Sequence, residues 1–551
     1  MLTVYLSFIE SIGSVISPLL WLIYINDLAS SMPAEVQFGT AKSLFADDLA
    51  LLCRGKTVEE CEQKMQVALN CLEKWPVENK MEISIMDDEQ SKTVSCYYTK
   101  NFKEESNNKV VPHLTLNGIQ VFHNTAPKFL EVVVDQTLTF KVHTEEKAKK
   151  MGKRNNILRA LAGRDWGQKS NELRRVHVTF TQPAGEYAIG AWAPFVAKSH
   201  MDKLEAKQNQ AARIITGCCS DTKTEHLLSE AGLMPIEFRA EQEAVLLHEK
   251  NKRLPVEVPA RQTADNIVLK HHLKKIGADG KIIKPPREKA KSILAEMQLV
   301  DIERDEAMTH ACVAPWDWRF SNAIKFHGKL EGCSGKNDSP ENIHRAFDAV
   351  LSSIPTGDVI SYTDGSVGAN NCNGGAGGFI EWPSETETQE IKRPCGSKCS
   401  SYRAEMIAIK SILEAIKEHD DSMPSDFNTW IFTDSQSSIE RLQGGPGVQV
   451  ENIAGDIWKL LIHLSRRHST TLQWIPGHKD IAGNETADKL AKEASDMSQQ
   501  EVALDFSTVK AAVRLHVRNK WRAAVSAREG IYSKAGVLKQ PALPLTITRK
   551  Q

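Results

Sequence analysis

Between residues 359 and 495 apolar and polar positions alternate first with period two and later with periods of three and four. In Val359-Ile360-Ser361-Tyr362-Thr363-Asp364 a strand puts Ile360, Tyr362 and Asp364 on one face, with Asp364 at its carboxyl end. Gly374-Gly375-Ala376-Gly377-Gly378-Phe379 reads as a glycine-rich second strand. The helix beginning at Ser401 sets Glu405 in line with Ala408, Ile409 and Ile412, so a carboxylate stands on a stripe that should be buried. Trp430-Ile431-Phe432-Thr433-Asp434 repeats the first arrangement, with Trp430, Phe432 and Asp434 sharing a face, and a helix from Ser435 to Leu442 follows. Asn484 can cap a last helix whose apolar stripe is Ala487, Leu490, Ala491 and Ala494. The order strand, strand, strand, helix, strand, helix predicts one compact mixed α/β domain.

The remainder has a different texture. Residues 1–140 alternate short strand-like and helical patterns, 141–260 are helical and rich in Lys, Arg and Gln, and 261–345 are polar and basic with Pro285-Pro286 as a breaker, which reads as a linker. After Ser495 a basic tail is helical in period from Thr508 to Ser526. The apolar stretch Val15 to Ile25 contains Pro18 and stops at Asn26-Asp27, too short for the roughly 20 residues of a membrane span.

Composition narrows the function classes little. With 551 residues several domains are expected, and 69 Lys plus Arg against 70 Asp plus Glu leave no overall charge to argue for a nucleic-acid partner. The 11 cysteines show no paired CxxC spacing; Cys395 and Cys399 read as reduced thiols, Cys218-Cys219 as buried rather than bridged, and the whole as a soluble intracellular protein.

Each acid has a bland explanation. Glu405 in a first turn suits the helix macrodipole, Asp434 can cap the helix that follows it, and Asp488 lies near a helix start. Brought together they would repel and raise one another's pKa unless cations neutralised them. An oxygen-rich, thiol-free cluster suits Mg²⁺ or Mn²⁺, and two such ions about 3.5–4 Å apart can clamp the attacking and leaving oxygens of a phosphoryl displacement.

Tyr362-Thr363-Asp364-Gly365-Ser366, Tyr402-Arg403-Ala404-Glu405, Phe432-Thr433-Asp434-Ser435 and Gly477-His478 with Gly483-Asn484-Glu485 and Ala487-Asp488 resemble, in order, the four signatures of type 1 ribonuclease H. The resemblance covers nearly all of 359–495, within a domain placed at 346–498. It implies a mixed five-stranded sheet with helices, an RNA–DNA hybrid as substrate and two Mg²⁺ or Mn²⁺ ions. It makes Asp364, Glu405, Asp434 and Asp488 the metal-binding catalytic acids, with His478 on a mobile loop assisting proton transfer or product release. Ser401, Gln436 and Asn484 lie near the motifs and could contact ribose 2′-hydroxyls, although Ser401 and Asn484 are equally good N-caps.

Upstream, Ser43 to Leu52 reads as two apolar strands joined by a turn presenting Asp47 and Asp48. With Gly13-Ser14-Val15-Ile16-Ser17-Pro18-Leu19-Leu20, Tyr24-Ile25-Asn26-Asp27-Leu28, Ser91-Lys92-Thr93 and Lys128 to Phe140, it resembles the palm of non-LTR retrotransposon reverse transcriptases, and 141–260 the helical thumb. In order the chain is similar to the polymerase and ribonuclease H portion of an ingi-type polyprotein, which implies nuclear residence. Ile12 stands where the family has Gln and Glu131 where it has Gly, whose tight backbone path a side chain would obstruct. With no first palm motif before Gly13, Asp47 and Asp48 lack the acid that completes a polymerase site. The expectation is an inactive, truncated reverse transcriptase beside an intact ribonuclease H, the rivals being a non-catalytic nucleic-acid-binding remnant and a working polymerase. Cations at Lys147 to Arg154, Lys270 to Lys284 and Arg514, Arg518 and Arg522 of the 499–551 tail could meet phosphates or merely face solvent.

Overall fold

A computed structural model describes residues 2–7, 17–28, 40–99, 111–163, 167–256, 258–265, 286–300, 302–305, 312–333, 335, 338–369, 372–383, 387–419, 427–449 and 451–526. The Gly13–Ile16 segment and the Lys270–Lys284 run singled out above lie outside them. The chain divides into two compact units, Met1–Ala240 with Val525–Gln551, and Glu241–Ala524.

In the first unit β1 (Leu2–Ser7), β2 (Thr40–Phe45), β3 (Asp48–Cys53) and β4 (Val94–Tyr97) form an antiparallel sheet in the order β2-β3-β1-β4. The β2–β3 hairpin turns at Ala46-Asp47, with Ala46 at φ +51°, so the expected apolar strands and carboxylate-bearing turn are present. Helix α1 (Val58–Leu72) is capped by Thr57, whose hydroxyl accepts from Glu60 N, and buries Cys61, Met65, Ala68, Leu69 and Leu72 in one cluster with Leu49, Leu51 and Cys53 of β3. The 141–240 stretch is helical; α2 (Lys141–Leu161) and α3 (Lys198–Thr216) pack through Met151 and Leu204 around Trp192 and Ile236. Cys218 and Cys219 are half-buried and exposed rather than buried, because α3 ends at Gly217 and the chain leaves the core there.

Glu131 departs from its expectation in an instructive way. The ladder of Lys128–Phe129 with Val132–Val133 is joined by Leu130-Glu131, both left-handed at φ +46° and +65°, the conformation that two-residue hairpins demand and glycine adopts freely. The side chain obstructs nothing: it is exposed and pairs with Lys128 at 2.5 Å. The misfit is backbone strain, which costs an L-residue about 1–2 kcal/mol. Glu131→Gly should therefore raise the unfolding free energy of the full chain's first transition by up to about 1 kcal/mol, the unfolded-state entropy of glycine offsetting the rest. Urea denaturation checks this, and a lowered midpoint would refute it.

The second unit is built on a sheet of β5 (Ile324–His327), β6 (Val359–Gly368), β7 (Cys372–Glu381), β8 (Thr388–Lys398), β9 (Thr429–Thr433) and β10 (Thr470–Trp474), ordered β8-β7-β6-β9-β10-β5. The β8–β7–β6 part is antiparallel and the β6–β9–β10–β5 part parallel. The described sheet thus has six strands rather than five, and 261–345 is not a linker throughout. Ile324–His327 pairs with β10, Val313 and Ile324 are buried in the domain core, and Pro286–Glu296 is helical.

Helices cover both faces of this sheet. Ile409, Ile412 and Leu413 of α4 (Ser401–His419) and Ile457, Trp458 and Leu461 of α5 (Asn452–Leu464) pack with Ile431 and Leu472. On the other face Tyr362, Phe432 and Trp474 meet Ala487 of α6 (Ala482–Asp496), which lies directly on β7. The glycines of β7 permit that approach: a Cβ at Gly375 or Gly377 would stand 2.1 Å from the carbonyl oxygen of Ala491 or Ala487. The tail helix α7 (Phe506–Ser526) begins two residues before its expected start. Among the described residues no helix is long and apolar enough to cross a membrane.

Candidate active site

The parallel pairing of β6 with β9 ends at Thr363 and Thr433, so Asp364 and Asp434 are the residues that follow the last rung. Strand β6 itself runs on to Gly368, paired to β7, so Asp364 sits inside that strand and not at its end. Helix α4 reaches Asp364 because the next residue is Gly365: a Cβ there would lie 2.5 Å from Glu405 N. Glu405 falls beyond the first turn of α4, which removes the macrodipole explanation for it.

Asp364, Glu405 and Asp434 each present an atom within 4.8 Å of the others. Asp364 and Glu405 are each 7% exposed, and Oε2 of Glu405 is buried without a hydrogen-bond partner. Burial and the Asp434 charge push Asp364 up to about 7, against one opposing hydrogen bond from Gly365 N at 2.7 Å. Burial, then Asp364 and Asp434, hold Glu405 well above the usual carboxylate range. Asp488, buried on α6, adds to the charge around Asp364 and pairs with Lys492. It also belongs to a second group with the exposed His478, at φ +53°, and Glu485. Glu485 lies three residues before Asp488 on the same helical face, a spacing that the sequence alone shows.

The proposed substrate contacts divide. Ser401 and Gln436 line, with Glu405 and Asp434, a cleft of about 520 Å³. Neither Ser401 nor Asn484 is a cap: Ser400 Oγ accepts from Arg403 N at 3.2 Å, and α6 starts at Ala482 after Ile481. Asn484 is 2% exposed inside α6, remote from the solvent that a ribose would occupy. Ser435 is the N-cap of the helix Gln436–Gln443, and the backbone oxygen of Asp434 accepts from Gln436 N and from Trp474 Nε1. Asp47 and Asp48 lie together, half-buried, at the first unit's hairpin.

A divalent cation fits this donor set. The group is all oxygen, it is closely spaced, one buried carboxylate oxygen has no partner, and two of the acids titrate abnormally high without a compensating charge. The sign of the resulting stability dependence is definite. Groups whose folded pKa is raised contribute stability that is full below about pH 4 and is lost as the pH rises through the folded values, here through about 7 for Asp364. In EDTA the melting temperature should accordingly fall between pH 5 and pH 8, and Mg²⁺ should restore more of it at pH 8 than at pH 5. Equal Mg²⁺ effects at both values would rule this out.

Known proteins resemble parts of the chain. The RNase H family model matches residues 356–496. The probable RNA-directed DNA polymerase from transposon BS of Drosophila melanogaster is 27% identical over 37% of this chain and 22% of its own length. The RNA-directed DNA polymerase from mobile element jockey of Drosophila funebris is 24% identical over 43% of this chain and 25% of its own. The chain therefore spans about a quarter or less of these two retrotransposon relatives. The crystal structure of LC11-RNase H1 in complex with RNA/DNA hybrid aligns at 24% identity, over 25% of this chain and 97% of that one, with a TM-score of 0.22. The ribonuclease H of Maricaulis maris is 30% identical over 24% of this chain and 89% of its own length. Since the family model matches residues 356–496 and 89% of a bacterial enzyme is covered at 30% identity, the chain belongs, through those residues, to the ribonuclease H family.

Proposed function

We propose that this protein hydrolyses the RNA strand of RNA–DNA hybrids, with Asp364, Glu405, Asp434 and Asp488 holding two divalent ions, Mg²⁺ or Mn²⁺. The observation that carries the reading is the carboxylate triad, with Asp364 and Glu405 buried and Asp434 half-buried, whose unpartnered Glu405 oxygen lies beside an open polar cleft. Bound there, the ions would neutralise the acids, activate water and stabilise the charge of an in-line displacement at phosphorus. The chain's part is to hold Asp364 and Asp434 through the β6–β9 register, Glu405 through the close α4 contact at Gly365, and Asp488 through the packing of α6 on the glycines of β7. Ser401 and Gln436 line the cleft, and in this reading they would contact ribose hydroxyls. In this reading the exposed His478 would move a proton or speed product release. Purified chain should cleave labelled RNA in a hybrid, leaving 5′-phosphate and 3′-hydroxyl ends, and spare double-stranded RNA and DNA. Cleavage that persists in EDTA, or hybrid binding without any cleavage, would favour the non-catalytic remnant instead.

For the first unit we propose a reverse-transcriptase-like palm and thumb of the ingi type that does not polymerise. Strand β1 precedes Gly13, and its residue in register with Asp48 is Ser7, which brings no carboxylate to the Asp47-Asp48 turn. Templated primer extension that is lost in Asp48→Ala would reverse this. Nuclear residence is part of the same proposal.

A further inference from the structure

Helix α7 presents Arg514, Arg518 and Arg522 to solvent, while Val509, Val513, Val517 and Trp521 are buried on its other side. The three arginines follow at four-residue steps, about 6 Å apart along the axis. Among the described residues none of the three has an ion pair, and Phe506–Ser526 contains no Asp or Glu to moderate them. Like charges at this spacing destabilise a helix by a few tenths of a kcal/mol per pair, so the row works against its own fold. Lys520, the helix's cation off this row, is by contrast matched by Glu241 at 2.6 Å.

The start of α7 is fixed to the helix that carries Glu405. Asp505, 7% exposed, accepts from Thr508 N at 2.8 Å and from Arg403 Nη1 at 2.7 Å, and Ser400 N donates to Thr508 Oγ1 at 3.1 Å. Burial opposes the Asp505 charge, but Arg403 and the Ser507 and Thr508 hydroxyls hold it below the usual carboxylate range. Lys510 is close enough to Glu451 for their charges to interact, and so is Tyr402, which lines the cleft. The cations therefore lie along a helix whose first turn is anchored to α4, the helix that carries Glu405.

We propose that Arg514, Arg518 and Arg522 form a phosphate-binding row that holds the backbone of the RNA–DNA hybrid beyond the cleavage cleft. Guanidiniums carried on a helix rather than a loop match a regularly spaced polyanion without prior ordering, and they add affinity that is blind to sequence. The occupant is a nucleic-acid duplex, because the row offers only charge and hydrogen-bond donors and no apolar anchor of the kind a protein interface requires. This rests on the hybrid reading above.

The test uses the full chain, a labelled RNA–DNA hybrid and the triple variant Arg514→Gln, Arg518→Gln and Arg522→Gln. Its binding should weaken on the order of tenfold, and the slope of log K against log salt should flatten by about 0.9 per lost contact on the scale of B-DNA. KM should rise with kcat nearly unchanged, and the corresponding triple lysine variant should recover the slope. Unchanged slope and KM in a chain that still cleaves would overturn the row and leave the ribonuclease reading standing, with the arginines facing solvent or an acidic protein. A wild-type chain that binds hybrid with the arginine-dependent slope but never cleaves it would instead sink the catalytic reading and keep the row.

Discussion

Glu405→Gln should lower cleavage of hybrid RNA on the order of a thousandfold or more, and yet make the metal-free protein more stable above neutral pH. The first effect follows from replacing a charged oxygen donor with a neutral amide at a site whose work is electrostatic. The second follows from the same burial that makes the site useful. Glu405 carries a carboxylate that burial, Asp364 and Asp434 all drive toward protonation, so removing its charge relieves a cost the fold otherwise bears. The unpartnered Oε2 becomes an amide nitrogen or oxygen of nearly the same volume, which leaves packing unchanged. Single-turnover cleavage and thermal unfolding in EDTA at pH 8 measure the two effects on one sample. A variant that loses activity and stability together would show that Glu405 is a structural residue; one that keeps activity would remove it from the catalytic set. Opposite signs are the signature of a functional site held at the expense of stability.

How legible this site was depends on the distance over which its causes act. Asp364 and Asp434 could be aligned from strand alternation, because each occupies the polar end of an apolar face that begins two to four residues earlier. Glu405 could be placed on a buried stripe from its neighbours at three and four residues. That they meet depends on Gly365, whose role is visible only once α4 lies against β6. Strand β5 escaped because four residues are too few to show a period, and its apolar Ile324 and Phe326 lie in a basic, polar stretch. The Ser401 cap failed by one residue for a long-range reason: Ser400 and Ser401 are chemically equivalent until Thr508 and Ser507, more than a hundred positions away in sequence, engage Ser400. The first unit's hairpin was legible for the opposite reason, since turn and strands lie within ten residues.

Gly377→Val should abolish folding of the second unit, and Gly377→Ala should fold with an impaired site. A Cβ at Gly377 would stand 2.1 Å from the carbonyl oxygen of Ala487 and 2.4 Å from Ala491 N, both backbone atoms of α6 that no rotamer change can move. Alanine needs the helix to retreat by roughly an ångström, an overpacking that costs about 1–3 kcal/mol. Valine adds two methyl groups to the same contact and belongs with the exceptional losses above about 4 kcal/mol. Because α6 carries Asp488, and a displacement of about 1 Å in a catalytic group can cost roughly a hundredfold in rate, the alanine variant should lose activity out of proportion to its stability. Gly357→Ala is the control, since nothing lies within 4 Å of its would-be Cβ and its backbone is not left-handed; it should leave both properties alone. Urea unfolding and hybrid cleavage of the three variants decide the matter. If Gly377→Ala kept wild-type rate and midpoint, α6 would not sit on β7 as closely as this packing requires, and Asp488 would have to reach the acid cluster from some other placement.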